Sequence, residues 1–156
     1  MRNLLLNEGL PVTESSFLNN VKDTPGLHIV GDLFECSCNH KIFTDPKFLE
    51  NTCSSFVNNV GLTEVGKFFH QFDGEGGVTG MIVLAESHMS LHTWPEKKYV
   101  TLDVYVCSYT QDNRDKAKHL YSALEDLFQP SNKNYKELIK QAVSAAKKRS
   151  LELAQE

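Results

Sequence analysis

An α+β fold is predicted by the sequence: a two-layer sandwich in which helices pack on one face of a mostly antiparallel sheet. Short runs rich in β-branched and aromatic residues recur between residues 27 and 106, as is typical of strands. Two longer segments, which open near residues 45 and 113, instead have apolar side chains at helical spacing. The order of these elements favours one sheet with helices on one side.

Five segments are predicted to be strands. They cover residues 27–38, 63–72, 81–85, 91–94 and 99–106. Residues 81–85 are wholly apolar, which is typical of a buried central strand. Loops are indicated at residues 73–77 and 95–98 by their Gly, Pro and charged side chains.

Both predicted helices have recognisable starts. Asp45 is suited to the N-cap, with Pro46 at the first helical position, and Gly61 ends that helix. Asn113 is predicted to cap the second helix, which has one continuous apolar face.

The chain of 156 residues is long enough for one domain with a substantial core and too short for two. We expect this domain to span residues 26–130, after an irregular N-terminal extension over residues 1–25. A break at residues 130–132 precedes a charged segment with helical patterning over residues 135–153. Residues 131–156 are therefore predicted to be a helical extension of the same domain.

Composition argues against several classes of protein. The net charge of −4 provides no basic footprint for nucleic acid. No stretch reaches the roughly 18 apolar residues of a membrane helix, and the leucines near the start form too short a run for a signal peptide. We therefore expect a cytoplasmic protein that binds neither nucleic acid nor membrane.

The expected cytoplasmic location also bears on the four cysteines. In a reducing compartment, thiols are structural, catalytic or metal-bound more often than paired in disulfides. Cys36, Cys38 and His40 alternate along a predicted strand, as metal ligands can. A fourth ligand at usable spacing is missing, and so no metal site is predicted.

One segment concentrates reactive side chains. Residues 85–96 hold two histidines, two serines, two glutamates and the only tryptophan of the chain, directly after the apolar strand. Polar groups crowded at the end of a core strand cost stability unless they serve a function. This segment is therefore the candidate active site.

The eleven residues from Glu86 to Glu96, ESHMSLHTWPE, closely resemble the self-processing signature of the short prokaryotic S-adenosylmethionine decarboxylases. Three further segments are similar to that family. Residues 26–36 resemble its first strand, residues 70–80 the approach to its cleavage site, and residues 102–107 the strand that holds its catalytic thiol. The resemblance covers residues 26–128.

The resemblance implies a pyruvoyl-dependent enzyme that cuts its own chain between Glu86 and Ser87. A serine hydroxyl on a strained turn can attack the preceding carbonyl and convert the peptide to an ester. Loss of the serine Cα proton then expels the ester and leaves dehydroalanine, which hydrolyses to a pyruvoyl group and ammonia. By resemblance, His92 is the base for that proton. Thr79 is the hydroxyl that supports the acyl shift, at a position where the family usually has serine.

The pyruvoyl group made from Ser87 is the implied cofactor. It would form a Schiff base with the substrate amine and accept electrons while carbon dioxide leaves, as pyridoxal phosphate does. Cys107 matches the family's proton donor, a role to which a thiol is suited. Phe72 matches the aromatic residue that the family stacks on adenine, and Asp73 and Glu75 follow it as candidate partners for a cationic substrate.

The implied substrate is S-adenosylmethionine, whose decarboxylated form is the aminopropyl donor for spermidine synthesis. The resemblance also implies a homodimer, in which Thr79 and His92 of one chain face Ser87 and Cys107 of the other. One departure from the family is expected: it normally has another strand after the second long helix, whereas residues 134–156 here are predicted to be helical.

Two alternatives remain open from the sequence. Carboxylates at positions 73 and 75 suit a compact ammonium or guanidinium particularly well, which favours ornithine or arginine as an alternative substrate on the same scaffold. The chain could also be an unprocessed, non-catalytic homologue that acts as a binding or regulatory partner.

Overall fold

This computed structural model describes residues 26–109 and 111–137. The elements in chain order are β1 (Leu27–Cys36), α1 (His40–Thr44), α2 (Pro46–Asn59), β2 (Glu64–Gln71), β3 (Val78–Leu84), β4 (Ser87–Trp94), a 3₁₀ turn (Pro95–Lys97), β5 (Tyr99–Val106), α3 (Arg114–Phe128) and β6 (Pro130–Glu137). The six strands form one sheet in the order β2-β3-β4-β5-β1-β6, and every neighbouring pair is antiparallel. The predicted α+β class is confirmed.

The two faces of the sheet differ in burial. Along β5, the alternate residues from Val100 to Val106 are buried, whereas those from Tyr99 to Tyr105 are only partly buried. Helices α2 and α3 pack on the buried face, where Leu49 and Phe128 have no exposed surface. We call the other side of the sheet the open face, and its polar and aromatic side chains belong to the site described below.

The predicted start of α2 is confirmed. The Asp45 carboxylate accepts hydrogen bonds from the backbone N–H groups of Lys47, at 3.0 Å, and Phe48, at 2.9 Å, and Pro46 is the first helical residue. Such a cap stabilises a helix by about 1 kcal/mol. Helix α1, which was not predicted, has a similar cap, in which the side chain of Asn39 accepts from the N–H of Lys41 at 2.9 Å.

Two predictions about the central hairpin are wrong. The apolar run at residues 81–85 is not buried on both sides, because Met81 and Val83 are each 43% exposed on the open face. Strand β4 begins at Ser87 rather than at residue 91. The first half of β4 was not predicted because its residues are mostly polar. Met89 and Leu91 nevertheless alternate with the polar residues and are fully buried.

The prediction for the C-terminal region is also wrong where the structure describes it. Residues 130–137, expected to break and then form a helix, are strand β6, which pairs with β1 from Cys36↔Pro130 to Ile29↔Glu137. Helix α3 ends at Phe128, and Gln129 follows as its C-cap with a φ of 50°, which turns the chain back along β1. The backbone of β1 would otherwise present unpaired donors and acceptors at the sheet edge. The rest of the predicted helix and the extension at residues 1–25 lie outside the described residues.

No helix in the described part of the chain combines the length and the apolar character needed to cross a membrane.

Candidate active site

The predicted cleavage site lies in the tight turn between β3 and β4. Leu84 pairs with Ser87, so that only Ala85 and Glu86 connect the two strands. Ser87 has a φ of 111°, a value that residues other than glycine rarely adopt and that costs of order 1–3 kcal/mol. The other described non-glycine residues with positive φ have values of 47–52°, within the tolerated left-handed region. The backbone is therefore most strained at the residue predicted to become the cofactor.

The carbonyl of Glu86 has a backbone partner. The N–H of Cys107 donates to this oxygen at 3.1 Å, and Val106 pairs with Ser87 on the neighbouring strand. A donor at this position polarises the carbonyl and stabilises negative charge that develops on its oxygen. Gly26 packs against the same point: a Cβ there would lie 2.7 Å from the Cα of Cys107, which leaves space for glycine alone.

Asn113 is at the predicted N-cap position of α3, but it does not cap the helix through its side chain. Its side chain makes no N-cap hydrogen bond, and the carboxylate of Asp112 instead accepts from the N–H of Arg114 at 3.1 Å. The Asn113 side chain is fully buried; its amide nitrogen donates to the carboxylate of Glu86 and, at 3.1 Å, to the carbonyl of Cys107. The side-chain oxygen of Asn113 has no hydrogen-bond partner among the described residues.

Thr79 and His92 lie at the opposite end of the hairpin. They face each other across β3 and β4, and the Thr79 hydroxyl and His92 Nδ1 form a hydrogen bond at 2.9 Å. His92 follows Ser87 by five residues on a continuous strand, which corresponds to about 16 Å. Within one chain, the structure therefore brings Thr79 to His92 but keeps both away from Ser87.

A row of aromatic side chains continues from His92 across the open face. Ring centroids are 5.9 Å apart for His92 and Trp94, 4.9 Å for Trp94 and Tyr99, and 5.0 Å for Tyr99 and Phe34. The Tyr99 hydroxyl donates to Asp32. Burial, together with this neighbouring carboxylate, raises the pKa of Tyr99 to about 12, so that the phenol stays protonated at neutral pH.

The predicted substrate-binding residues share this end of the sheet. Phe72 follows β2, and its N–H donates to the carbonyl of Gly77 at 2.9 Å, next to the start of β3. Its ring is 54% exposed and meets His70 edge-on, with the ring centroids 5.5 Å apart. Asp73 and Glu75 are exposed in the loop that follows. In a single chain these residues follow the end of β2 that pairs with Thr79 and Val78, at the opposite end of the hairpin from Ser87.

Sequence reasoning missed a polar cluster on the open face beside Ser87. Nε2 of His28 lies 3.0 Å from Oδ1 of Asp103, and Nε2 of His88 lies 3.4 Å from the same oxygen. The ring of Tyr105 packs on both histidines, at centroid distances of 5.2 and 6.1 Å. Only the register of β1, β5 and β4 brings these residues together, and no single segment of the sequence indicates it.

Three of the four cysteines are poor candidates for chemistry. Burial raises the pKa of Cys36 and of Cys38 to about 11, with the charge of Cys38 adding to the effect on Cys36, and burial raises the pKa of Cys53 to about 12. All three remain thiols at neutral pH. Cys107 is partly buried and free.

The suspected alternation of Cys36, Cys38 and His40 on one strand is not observed. Cys36 ends β1, Cys38 follows it, and His40 begins α1. Within residues 26–109 and 111–137, no group of three or more His, Cys, Asp or Glu side chains is arranged to hold a metal ion.

Comparisons with known proteins agree on one family. The family model described as S-adenosylmethionine decarboxylase matches residues 27–149. The S-adenosylmethionine decarboxylase proenzyme of Symbiobacterium thermophilum is 40% identical over 101 residues, which are 65% of this chain and 74% of that protein. The proenzyme of Prochlorococcus marinus is 39% identical over 82 residues, which are 53% of this chain and 63% of that protein.

A solved structure supports the same relationship. The crystal structure of the adenosylmethionine decarboxylase from Aquifex aeolicus matches with a TM-score of 0.64 and 29% sequence identity. The match covers 73% of this chain and 88% of that chain.

Proposed function

Because the chain belongs to the S-adenosylmethionine decarboxylase family, we propose that it is a self-cleaving, pyruvoyl-dependent decarboxylase of S-adenosylmethionine. Cleavage falls between Glu86 and Ser87, and Ser87 becomes the pyruvoyl group. The observation that carries this proposal is the backbone at the turn, where a strained Ser87 follows a carbonyl that already accepts from the N–H of Cys107. The product is the aminopropyl donor for spermidine synthesis.

The first step of maturation uses this geometry. The Ser87 hydroxyl oxygen bonds to the carbonyl carbon of Glu86, the C–N bond breaks, and the freed nitrogen takes up the hydroxyl proton. The Cys107 N–H stabilises the oxyanion formed during the attack. The rearrangement also removes the backbone strain at Ser87, because an ester linkage has no φ at that position.

The second step needs a base at the Cα of Ser87. His92 is proposed for this role, held by its hydrogen bond to Thr79. Since His92 and Ser87 of one chain are separated by about 16 Å along β4, His92 must come from a second chain. We therefore propose a homodimer in which each site combines Ser87 and Cys107 of one chain with Thr79 and His92 of the other.

The residues around Ser87 fit a pyruvoyl group. After cleavage, position 87 is the first residue of β4, next to the end of β5 and Cys107. The group supplies an electron sink for the electrons released as carbon dioxide departs. Cys107 is proposed to return a proton to the α-carbon of the substrate, and Phe72 to stack on its adenine ring from the second chain.

The exposed loop carboxylates favour S-adenosylmethionine over ornithine or arginine. A compact cation requires a buried anionic partner for strong binding, whereas Asp73 and Glu75 lie in solvent. The exposed aromatic face of Phe72 suits a purine instead. The cytoplasmic location remains a prediction from the sequence.

Mass spectrometry under denaturing conditions tests the proposal. Purified wild-type protein should give one fragment that ends at Glu86 and a second that begins with a pyruvoyl group at position 87. Ser87→Ala should remain one chain. Carbon dioxide release should be measured in parallel from S-adenosylmethionine, ornithine and arginine. A wild-type chain that stays intact after long incubation would falsify the proposal and favour the non-catalytic homologue.

A further inference from the structure

We propose that Asn113 is a positioning residue for self-cleavage, which holds the carbonyl of Glu86 against the N–H of Cys107. This inference rests on the proposed function and adds to it a residue outside the signature segment.

The side-chain amide of Asn113 connects the two residues that form the carbonyl contact. Its nitrogen donates one hydrogen to the Glu86 carboxylate and the other to the Cys107 carbonyl, at 3.1 Å for the latter. The backbone of Cys107 in turn donates to the backbone oxygen of Glu86. Glu86 and Cys107 are thus joined directly through their backbones and indirectly through one amide group.

The primary amide of Asn113 is suited to this connection because its nitrogen carries two donors. Both groups that face the nitrogen are pure acceptors, so the site requires two donors from one side chain. The same requirement fixes the orientation of the amide, because a flipped Asn113 would present its oxygen to a carboxylate and a carbonyl. Aspartate supplies no donor, and serine supplies one.

The side chain of Asn113 does not make the capping hydrogen bond that is usual at the start of a helix. A residue at the start of a helix normally accepts a hydrogen bond from the first turn, yet the oxygen of Asn113 is buried and has no partner among the described residues. Asp112 binds the N–H of Arg114 instead. Helix capping alone does not account for an asparagine held in this orientation.

The connection matters because the turn is strained. Ser87 is held at a φ of 111°, and a small movement of Glu86 would relieve the strain and take the carbonyl away from its donor. A tether on the Glu86 side chain opposes that movement before cleavage. Attack by a neighbouring hydroxyl is sensitive to such displacements.

The test measures the rate of self-cleavage of freshly synthesised full-length chains by denaturing mass spectrometry, with the melting temperature measured on the same variants. Asn113→Asp should slow cleavage at neutral pH by roughly 10- to 100-fold, because it removes both donors and places a second carboxylate against Glu86. Asn113→Ser, which keeps one donor, should fall between this variant and the wild type. If Asn113→Asp does not fold, Asn113→Ser carries the comparison.

The matched control is Asp112→Asn. Asp112 is exposed at the same helix end and binds Arg114 through its side chain at 2.6 and 2.9 Å, but it is not among the hydrogen-bond partners of Glu86 or Cys107. This variant should leave cleavage at the wild-type rate and change the melting temperature little, because asparagine also caps helices and an exposed ion pair contributes little. A merely structural role for Asn113 would make cleavage follow the melting temperature in all variants.

Rescue provides the most specific result. In the double variant Asn113→Asp, Glu86→Gln, the amide at position 86 can donate to the carboxylate at position 113. The cleavage rate should then be about tenfold or more above that of Asn113→Asp alone. Wild-type cleavage rates in both Asn113 variants, equal slowing in Asp112→Asn, or a double variant no faster than Asn113→Asp would each overturn this inference. A wild-type chain that never cleaves would overturn the proposed function as well, which is a separate outcome.

Discussion

The two ends of β4 are built differently. At the turn end, Ser87 has a strained backbone, the carbonyl of Glu86 accepts from the N–H of Cys107, and the buried Asn113 donates to the carboxylate of Glu86. At the far end, His92 is exposed, and its side chain binds the hydroxyl of Thr79 and contacts the ring of Trp94. In the proposed function, the turn end rearranges its own backbone, whereas the far end supplies a base to a second chain. On this proposal, each end is half of a site.

The largest effect is expected when Ser87 is removed from one chain and His92 from another. Ser87→Ala and His92→Ala should each fail to produce a pyruvoyl group when expressed alone. Co-expressed, they form mixed dimers in which Ser87 of one chain meets His92 of the other, and the His92→Ala chain should then mature. One of the two sites is intact in such a dimer, so its activity should be roughly half that of the wild type.

Denaturing mass spectrometry and carbon dioxide release from S-adenosylmethionine provide the measurements. The His92→Ala chain alone should accumulate an ester that hydroxylamine cleaves, which shows that it stalls after the acyl shift. If the mixed chains remain as inactive as the separate ones, the composite site is wrong.

A second prediction separates maturation from turnover at the turn end. Cys107→Ala keeps the backbone N–H that binds the Glu86 carbonyl, so self-cleavage should continue at least in part. Decarboxylation should fall by about 100-fold or more, because general acid catalysis typically contributes that much. Cys38→Ala, which removes another partly buried thiol, is the control and should retain turnover. Normal turnover by Cys107→Ala would refute its assignment as proton donor.

A third prediction concerns the far end alone. Thr79→Val keeps the shape of the side chain but removes the hydroxyl that binds His92 Nδ1, and maturation should slow by roughly tenfold. Thr79→Ser keeps the hydroxyl and should mature at close to the wild-type rate. The appearance of the fragment that begins at position 87 gives both rates, and equal rates in the two variants would exclude a role for the hydroxyl.

The smallest effect is expected for substrate recognition. Phe72→Ala should raise the KM for S-adenosylmethionine by up to about tenfold, the range expected for lost stacking on adenine. Asp73→Asn and Glu75→Gln should change KM by less than about twofold, since exposed charges contribute little. Rapid carbon dioxide release from ornithine or arginine that is lost when these carboxylates are removed would contradict this prediction. The carboxylates would then matter more than Phe72, and the substrate would be one of those two amino acids.

The sequence predicted features that depend on neighbouring residues. The Asp45 cap of α2 and the strand over residues 99–106 were predicted from local patterns, and both are present in the structure. The signature from Glu86 to Glu96 led to the correct family for the same reason, because the identity of a short segment is visible without the fold.

What the sequence did not predict depends on pairing between distant strands. Strand β6 forms because β1 offers an unpaired edge, and its charged residues gave no strand pattern of their own. The contact of Asn113 with Glu86 joins residues that are 27 positions apart. Spacing along the chain does not give distance without the secondary structure, because the five residues from Ser87 to His92 span about 16 Å in a strand but about half of that in a helix.

The order of the strands has a consequence for the cut protein. A chain cleaved after Glu86 would contribute β1, β2 and β3 from its first piece, and β4, β5 and β6 from its second. In the sheet, β1 of the first piece lies between β5 and β6 of the second, and so the two pieces interlock. Neither piece alone can form the complete sheet, which means that folding must precede cutting. Once unfolded, such a cleaved enzyme would have to reassemble from two separate polypeptides. Its refolding would then depend on concentration, whereas that of the uncut chain would not.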